Sequence, residues 1–357
     1  MTIKQNLEQL ALEKNSPCVT ISLNTHRTHP DNTQDEIVLK NLIHEAEERV
    51  IQEYGKRDVA SLLEKLSTIH IDVNHNLDSL HIYLSNDTSE VIKSSWPITQ
   101  NGVHISDRFD IRPLMKSYIR TEEYYILLLS QSGTILYKAL NDEIINEVKN
   151  DDFPFPDNRH YNTHSDKGSD SKHLDDLVRE YLNTIDKAII NIYNETGSNI
   201  VVVATEDNYS RLQQVADRPL VYSGLAPINY NNTTTHHIAK QAWEIIRELQ
   251  HRRRTEAMSD IREAVGQGMV LTDLQEIYQA SIDGRGDLLI VHQDFAQPVH
   301  MTSDRTFELV GDTSAKEVID DITSYIAWEV LSKKGKVFFT EQDEIKDLGA
   351  IVLKTRY

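Results

Sequence analysis

Gly266-Gln-Gly-Met-Val-Leu-Thr-Asp-Leu-Gln-Glu-Ile-Tyr-Gln-Ala-Ser-Ile-Asp-Gly-Arg-Gly-Asp-Leu-Leu-Ile-Val-His292 carries the signals of a helix, a turn and a strand in direct succession, the grammar of a mixed α/β chain. Thr272 and Gln275 have the spacing of a Thr-x-x-Gln capping box, and Leu271, Leu274, Ile277, Tyr278 and Ile282 recur along one helix face. Gly284 and Gly286 then act as stops, because glycine accepts the left-handed backbone that a helix end commonly requires. Leu288-Leu-Ile-Val291 is an unbroken apolar run, the pattern of a strand covered on both faces of its sheet.

Towards the C-terminus the same alternation continues. Ser314-x-x-Glu317 reads as a second capping box leading into a helix with Val318, Ile322, Ile326 and Val330 along one side. Gly335 ends that helix, and Val337 to Phe339 and Ala350 to Leu353 are further core strands. Residues 267–357 are therefore expected to form a three-layer α/β/α sandwich. Towards the N-terminus, residues 236–266 read as one connecting helix whose packed side is Ile238, Ala242, Ile245, Ile246 and Leu249. Its compact basic group, His251-Arg-Arg-Arg254, reads first as a solvated or salt-bridged face. The alternative is a phosphate contact, with Arg252, Arg253 and Arg254 as the RNA-binding candidates.

Residues 121–235 open with two apolar runs, Tyr124 to Ser130 and Thr134 to Lys138, joined as a hairpin by Gln131-Ser132-Gly133. A third strand at Ile144 to Val148 completes a meander. A polar loop over 151–171 precedes a helix carrying Leu174, Leu177, Val178, Tyr181, Leu182, Ile185, Ile189 and Ile192 on one face. With Ile200 to Ala204 as a core strand and a short helix at 209–216, this order is that of an RNase H-like domain. Residues 1–120 read as a separate α/β unit. It has a helix from Ile3 to Lys14, a strand at 18–23, a long helical region from Asp35 to Leu66, and strands at Leu80 to Leu84 and Glu90 to Ser94.

Composition narrows the function classes. The 357-residue chain has a formal net charge of -19, so most of its surface repels a polyanion and nonspecific coating of DNA or RNA is excluded. Cys18 is the only cysteine and sits in the apolar run Cys18-Val-Thr-Ile-Ser-Leu23, which makes it a buried strand residue and rules out an intramolecular disulfide. No stretch is long and apolar enough to span a bilayer, and Met1 to Leu7 lacks a signal-peptide pattern, so the expectation is a soluble cytoplasmic protein.

Chemistry-bearing residues concentrate in loop 151–171. His160-x-x-x-His164, Asp166, Asp170 and His173 are of types suited to zinc or acid-base work, yet Pro154, Pro156 and Gly168 argue for irregular backbone. A mobile polar tip touching RNA or protein is the preferred reading, with His160, His164 and His173 as weak catalytic candidates, and neither a metal nor a cofactor is expected. His26-x-x-His29 lacks a partner cluster and reads as solvated loop histidines. No phosphate-binding Gly-x-x-x-x-Gly-Lys-Ser/Thr loop, nucleophile elbow or His-Glu-x-x-His box occurs.

The three-part order, the stretch from Val265 through Asp283-Gly-Arg-Gly-Asp-Leu-Leu-Ile-Val291, and the terminal Asp347-Leu-Gly-Ala-Ile-Val-Leu-Lys-Thr-Arg-Tyr357 together resemble family 3 of the bacterial archaeo-eukaryotic release factors, in the superfamily that includes Pelota. The resemblance implies a tRNA-sized molecule at the ribosomal aminoacyl site. It also implies a C-terminal domain with the fold of kink-turn-binding ribosomal proteins, and a translational GTPase as partner. True release factors of the superfamily carry Gly-Gly-Gln in the middle-domain loop, where the glutamine orients a water towards the peptidyl-tRNA ester. Here the equivalent loop tip is Lys167-Gly168-Ser169, and no glutamine lies between Gln131 and Gln213. Gly266-Gln267-Gly268 follows a long helix and reads as a hinge or cap. An Asn-Ile-Lys-Ser codon reader is absent as well. The expectation is a ribosome-binding factor acting in rescue, stalling or dormancy without peptide-release chemistry. The alternatives are a hydrolase of RNA esters or peptidyl-tRNA using 160–173, and a protein-binding scaffold.

Overall fold

A computed structural model describes residues 3–70, 72–130, 133–155, 171–227, 233–311, 318–319, 321–340 and 345–357. The chain divides into two compact units, one formed by Met1–Arg120 with Glu256–Tyr357 and the other by Thr121–Thr255.

In the first segment α1 (Ile3–Leu12) leads to β1 (Cys18–Asn24), α2 (Asp35–Tyr54), α3 (Ala60–Ser67), β2 (Ser79–Leu84), β3 (Ser89–Ser94), β4 (Gly102–Ser106) and α4 (Arg112–Arg120). The long helical region expected from Asp35 to Leu66 is two helices, broken where Gly55 adopts φ +82°. β4 and α4 escaped the sequence reading. The sheet is antiparallel in the order β3-β2-β1-β4. Strand alternation gives each face its own task. Val19, Ile21 and Leu23 of β1, with Leu80, Ile82 and Leu84 of β2, pack on Leu39, Leu42, Ala46 and Val50 of α2 and on Leu62 and Leu66 of α3. The opposite face presents Thr20, Ser22, His81 and Tyr83.

The second unit contains β5 (Glu123–Ser130), β6 (Gly133–Leu140), β7 (Glu143–Glu147), α5 (Ser171–Thr196), β8 (Ile200–Val203), α6 (Glu206–Val215), β9 (Tyr222–Ala226) and the start of α7 (Thr235–Val265). Its sheet runs β7-β6-β5-β8-β9, antiparallel through β5 and parallel from β5 onward. One face packs on Leu182, Ile185, Ala188 and Ile189 of α5. The other meets α7, where Tyr124 and Trp243 stack with ring centroids 6.4 Å apart. β9 was not anticipated, because Gly224 interrupts its apolar pattern. That glycine is required by close approach, since a Cβ there would lie 2.7 Å from Ile245 Cγ2 of α7.

From Glu256 the end of α7 belongs to the first unit. It is followed by β10 (Val270–Leu271), α8 (Leu274–Ile282), β11 (Gly286–His292), β12 (Val299–Ser303), β13 (Thr306–Leu309), β14 (Val318–Ile319), α9 (Ile322–Ser332), β15 (Lys336–Thr340) and β16 (Ile351–Thr355). The sheet order is β10-β16-β11-β15, with β13-β12-β14 as a separate small sheet. β11 is covered on both faces. Leu288 and Ile290 meet Ala257, Met258 and Ile261 of α7, whereas Leu289 and Val291 join the core containing Ile277 and Ala280 of α8 and Ile326, Ala327 and Val330 of α9.

Three local expectations are corrected. The cap of α8 is Asp273, whose Oδ1 accepts from the N–H groups of Gln275 and Glu276 at 3.0 Å, while Leu271 lies in β10. Gln275 instead accepts from the Phe307 N–H through its side-chain oxygen, so the Thr272 box does not form. Val318 is a strand residue, and α9 starts after Asp321, which accepts from the Thr323 N–H. Ser314 and Glu317 lie outside the described residues. A short aspartate one residue from the expected cap competes well for these backbone donors.

The two segments of the first unit share one core. Tyr83, Phe109, Ile111, Leu114 and Met115 cluster with Ile319, Ile322, Tyr325, Trp328 and Phe339. Polar ties reinforce it: the Tyr325 hydroxyl donates to the Phe109 carbonyl at 2.9 Å, and Ser106 donates to the Val318 carbonyl at 2.9 Å.

Candidate functional site

His160, His164, Lys167, Gly168 and Ser169, with Asp166 and Asp170, lie outside the described residues, and His173 falls on the backbone of the first turn of α5. The entry to that loop is anchored. Phe155 exchanges backbone hydrogen bonds with Thr134 at 2.9 and 3.2 Å, and its ring makes edge contacts with Phe153 and Tyr181. Thr134 and Tyr181 also join hydroxyls at 3.0 Å. The chain therefore leaves for residues 156–170 from beside the start of β6.

The basic group on α7 separates by environment. Arg253 Nη1 pairs with Glu122 Oε1 at 3.0 Å, and Nη2 donates to Asn199 Oδ1 at 3.2 Å, while Asn199 itself donates to Glu122 at 2.7 Å. Arg253 is thus built into the second unit. Arg252 and Arg254 are exposed and make no ion pair among the described residues, which leaves their guanidinium groups available to phosphate oxygens.

The remaining sequence candidates have local explanations. Gly268 has φ +70°, and the N–H groups of Gln267 and Gly268 bond the carbonyls of Ala264 and Val265 at 3.1 Å, so Gly266-Gln267-Gly268 closes the end of α7. His26 Nδ1 sits 2.8 Å from Asp35 Oδ1, which holds the ring against the start of α2. Burial pushes the Cys18 thiol up to about 12, so it stays protonated and unreactive at neutral pH. Among the described residues no cluster of three or more His, Cys, Asp or Glu side chains has metal-binding proximity.

A cleft missed by sequence reading lies within the first unit. Its volume is about 430 Å³. Its walls include Thr20 and Ser22 of β1, Trp96, and Arg112, Lys116 and Arg120 of α4. The three cations occur at i, i+4 and i+8 and so share one helix face. That Arg-x-x-x-Lys-x-x-x-Arg spacing was the available signal, hidden because α4 was not recognised as a helix. Arg112 is fully used: Nη1 contacts Asp321 Oδ2 at 2.7 Å and Thr323 Oγ1 at 2.9 Å, and Nη2 donates to the Gln293 carbonyl at 2.6 Å. The Arg120 guanidinium lies over the Trp96 ring, 5.7 Å from its centroid. Lys116 is half-buried, with its ammonium 5.9 Å from the Phe339 ring centroid and without a polar partner among the described residues. Burial, then the neighbouring Arg112 and Arg120 charges, pull Lys116 down to about 8 against the opposing pull of Asp294 and Asp321. Burial pushes the Asp110 carboxyl upward, opposed by His104 and by the Arg112 N–H.

These sheets and helices define a mixed α/β protein of two compact units. Residues 123–285 match the sequence model described as bacterial archaeo-eukaryotic release factor family 3. No curated protein matches the chain. Among solved structures, a model of ribosome-bound archaeal Pelota and ABCE1 is 11% identical, with 100% of this chain and 94% of that chain covered and a TM-score of 0.43. The crystal structure of Archaeoglobus fulgidus Pelota is 10% identical, with 100% and 92% covered and a TM-score of 0.36. An archaeal translation termination factor is 11% identical, with 99% and 97% covered and a TM-score of 0.21. Among the described residues no helix is long and apolar enough to cross a membrane.

Proposed function

We propose that this protein is a translation factor that binds the ribosomal aminoacyl site in rescue, stalling or dormancy and does not hydrolyse peptidyl-tRNA. The match of residues 123–285 to the release-factor family carries the reading, because that segment contains the loop on which the family's chemistry depends. In this chain the loop lacks the glutamine amide that would orient the attacking water, and Lys167-Gly168-Ser169 supplies no equivalent group. What remains is occupancy. Arg252 and Arg254 would meet ribosomal RNA phosphates, residues 151–171 would reach towards the peptidyl transferase centre, and the C-terminal segment would engage a translational GTPase. A net charge of -19 restricts RNA contact to such local basic groups, which suits a defined site on the ribosome better than general RNA coating. Such a factor acts in the cytoplasm.

Sucrose-gradient sedimentation of ribosomes from growing, starved and stalled cells tests occupancy, and release of labelled peptide from stalled complexes tests chemistry. The expected result is comigration with ribosomes and peptide release at the background rate. Failure to comigrate under every condition overturns the proposal. Release that depends on His160 and His164 would move the assignment to a hydrolase.

A further inference from the structure

We propose that the cleft in the first unit takes a small, largely apolar aldehyde and holds it covalently, as an imine on the side-chain amine of Lys116. Lys116 is half-buried on the wall formed by α4, and its nitrogen lies 5.9 Å from the Phe339 ring centroid with no hydrogen bond or ion pair among the described residues. Arg112 and Arg120 flank it four residues away on either side of the same helix face. Both are engaged, Arg112 with Asp321 and Arg120 with the Trp96 ring and with Gln293 Oε1 at 3.4 Å. They act on Lys116 as fixed positive neighbours. A lysine that is desolvated and set beside other cations gives up its proton readily and becomes a nucleophile. Burial and those two charges draw Lys116 down to about 8, so roughly a quarter of it is neutral at pH 7.5, against on the order of one in a thousand for an ordinary lysine. Asp294 and Asp321 pull the other way, and His104 and Asp110 are the further titratable groups of the cleft wall.

The rest of the cleft suits a neutral carbonyl compound. Its volume of about 430 Å³ lies in the range of pockets that enclose small organic ligands. Trp96, Pro97 and Ile98 supply apolar wall, and with both guanidinium groups engaged nothing in the wall calls for an anionic ligand. Thr20 of β1 is buried, and its hydroxyl accepts from the Asp110 N–H at 3.1 Å while its own proton has no acceptor among the described residues. That proton is a donor for a carbonyl oxygen entering the cleft. The reaction needs no further reagent. The neutral nitrogen attacks the carbonyl carbon and forms the C–N bond while the carbonyl π pair moves to oxygen, which takes one N–H proton. The resulting carbinolamine loses its oxygen as water together with the second N–H proton, and the C=N bond remains. Amine and aldehyde thus become imine and water, and hydrolysis reverses the step.

Borohydride trapping on the full chain tests the proposal, with benzaldehyde and butanal as probes and peptide mass spectrometry to locate the reduced adduct. Lys56, exposed in the same unit, is the reference amine. At pH 8 Lys116 is expected to be labelled at least about 10-fold faster than Lys56, because far more of it is neutral. Its labelling should saturate with aldehyde concentration, as a formed site requires, whereas that of Lys56 should rise in proportion. Labelling of Lys116 should be half-maximal near pH 8 and fall about 10-fold for each pH unit well below that. In urea sufficient to unfold the chain, the preference for Lys116 is expected to vanish. Lys116→Arg keeps the positive charge, and its thermal unfolding checks that it folds. In that variant the saturable part of the total labelling should disappear and the proportional part should stay. Labelling of Lys116 no faster than that of Lys56 overturns the proposal. So does labelling that never saturates, a preference that survives unfolding, or a saturable component that persists in folded Lys116→Arg protein.

Discussion

His81 illustrates how a single buried side chain sets a pH response that sequence inspection does not reveal. It lies on β2 with 1% exposure, between Ser22 Oγ at 2.9 Å from Nδ1 and Ser79 Oγ at 3.0 Å from Nε2. Ser79 donates its own proton to the Trp96 carbonyl at 2.7 Å, so the assigned tautomer has Nε2–H donating to Ser79 and Nδ1 accepting from Ser22. Burial lowers the imidazole from 6.5 to about 4. As pH falls through that window the unfolded chain takes up a proton that the native state resists, so stability is full above 6.5 and declines towards 4. The loss is on the order of 3 kcal/mol. Urea unfolding at pH 7 and pH 4.5 is expected to show this decline in the wild type and a smaller one in His81→Asn. An equal slope in both proteins would remove His81 from the account.

At the scale of elements, the turn from α9 into β15 is the tightest joint in the first unit. A Cβ at Gly335 would sit 2.5 Å from Val330 Cγ1 and 2.9 Å from the carbonyl oxygens of Gly286 and Val330. Two of those three neighbours are backbone, so the helix end and β11 would have to move apart. Gly335→Ala is expected to cost roughly 2–4 kcal/mol, read as a lowered denaturation midpoint with an unchanged urea slope. This glycine was legible as a helix stop from the sequence, but its second task, letting β11 approach, was not. The same division holds elsewhere. Long apolar periodicity found α5 and α7, and unbroken apolar runs found β5, β8 and β11, since burial of those faces dominates their stability. Short or mixed elements escaped: β4 is Gly-Val-His-Ile-Ser with every residue half-buried, and α4 begins Arg112-Pro113, so its cations masked the buried Leu114 and Met115. With α4 unseen, the cationic face of the cleft was unseen too.

The whole molecule depends on contacts that no local pattern announces. Residues before 120 and after 256 form one compact unit, and their joint core lies more than 200 positions apart in sequence. Arg112 and Asp321 pair across this junction with side chains 13% and 11% exposed. Arg112→Met leaves Asp321 buried without its partner and is expected to destabilise the first unit by roughly 3–5 kcal/mol. A fragment of residues 1–120 should lack a cooperative melt, because Tyr83, Phe109 and Leu114 lose their cover. Residues 121–255, with the sheet and helices of their own core, should retain a melt. Differential scanning calorimetry of the two fragments checks both statements.

The three arginines of α7 offer a final separation between holding the molecule together and holding a partner. Arg253 is tied to Glu122 and Asn199, and both ionic partners are partly exposed, so its loss should cost only about 0.5–1 kcal/mol. Arg252 and Arg254 have no such tie, and their replacement should leave the melt unchanged. If these two side chains neutralise ribosomal RNA phosphates, Arg252→Glu with Arg254→Glu weakens ribosome binding about 10-fold or more at physiological salt. It also flattens the dependence of log affinity on log salt by about one to two units, because fewer counterions are released. Arg253→Glu should show the reverse balance, with a measurable loss of stability and a smaller change in salt slope. Ribosome binding measured at 50, 100 and 200 mM salt, on the order used for phosphate-contact proteins, distinguishes the two outcomes. An unchanged slope in the double variant would mean that the basic group on α7 only solvates the helix.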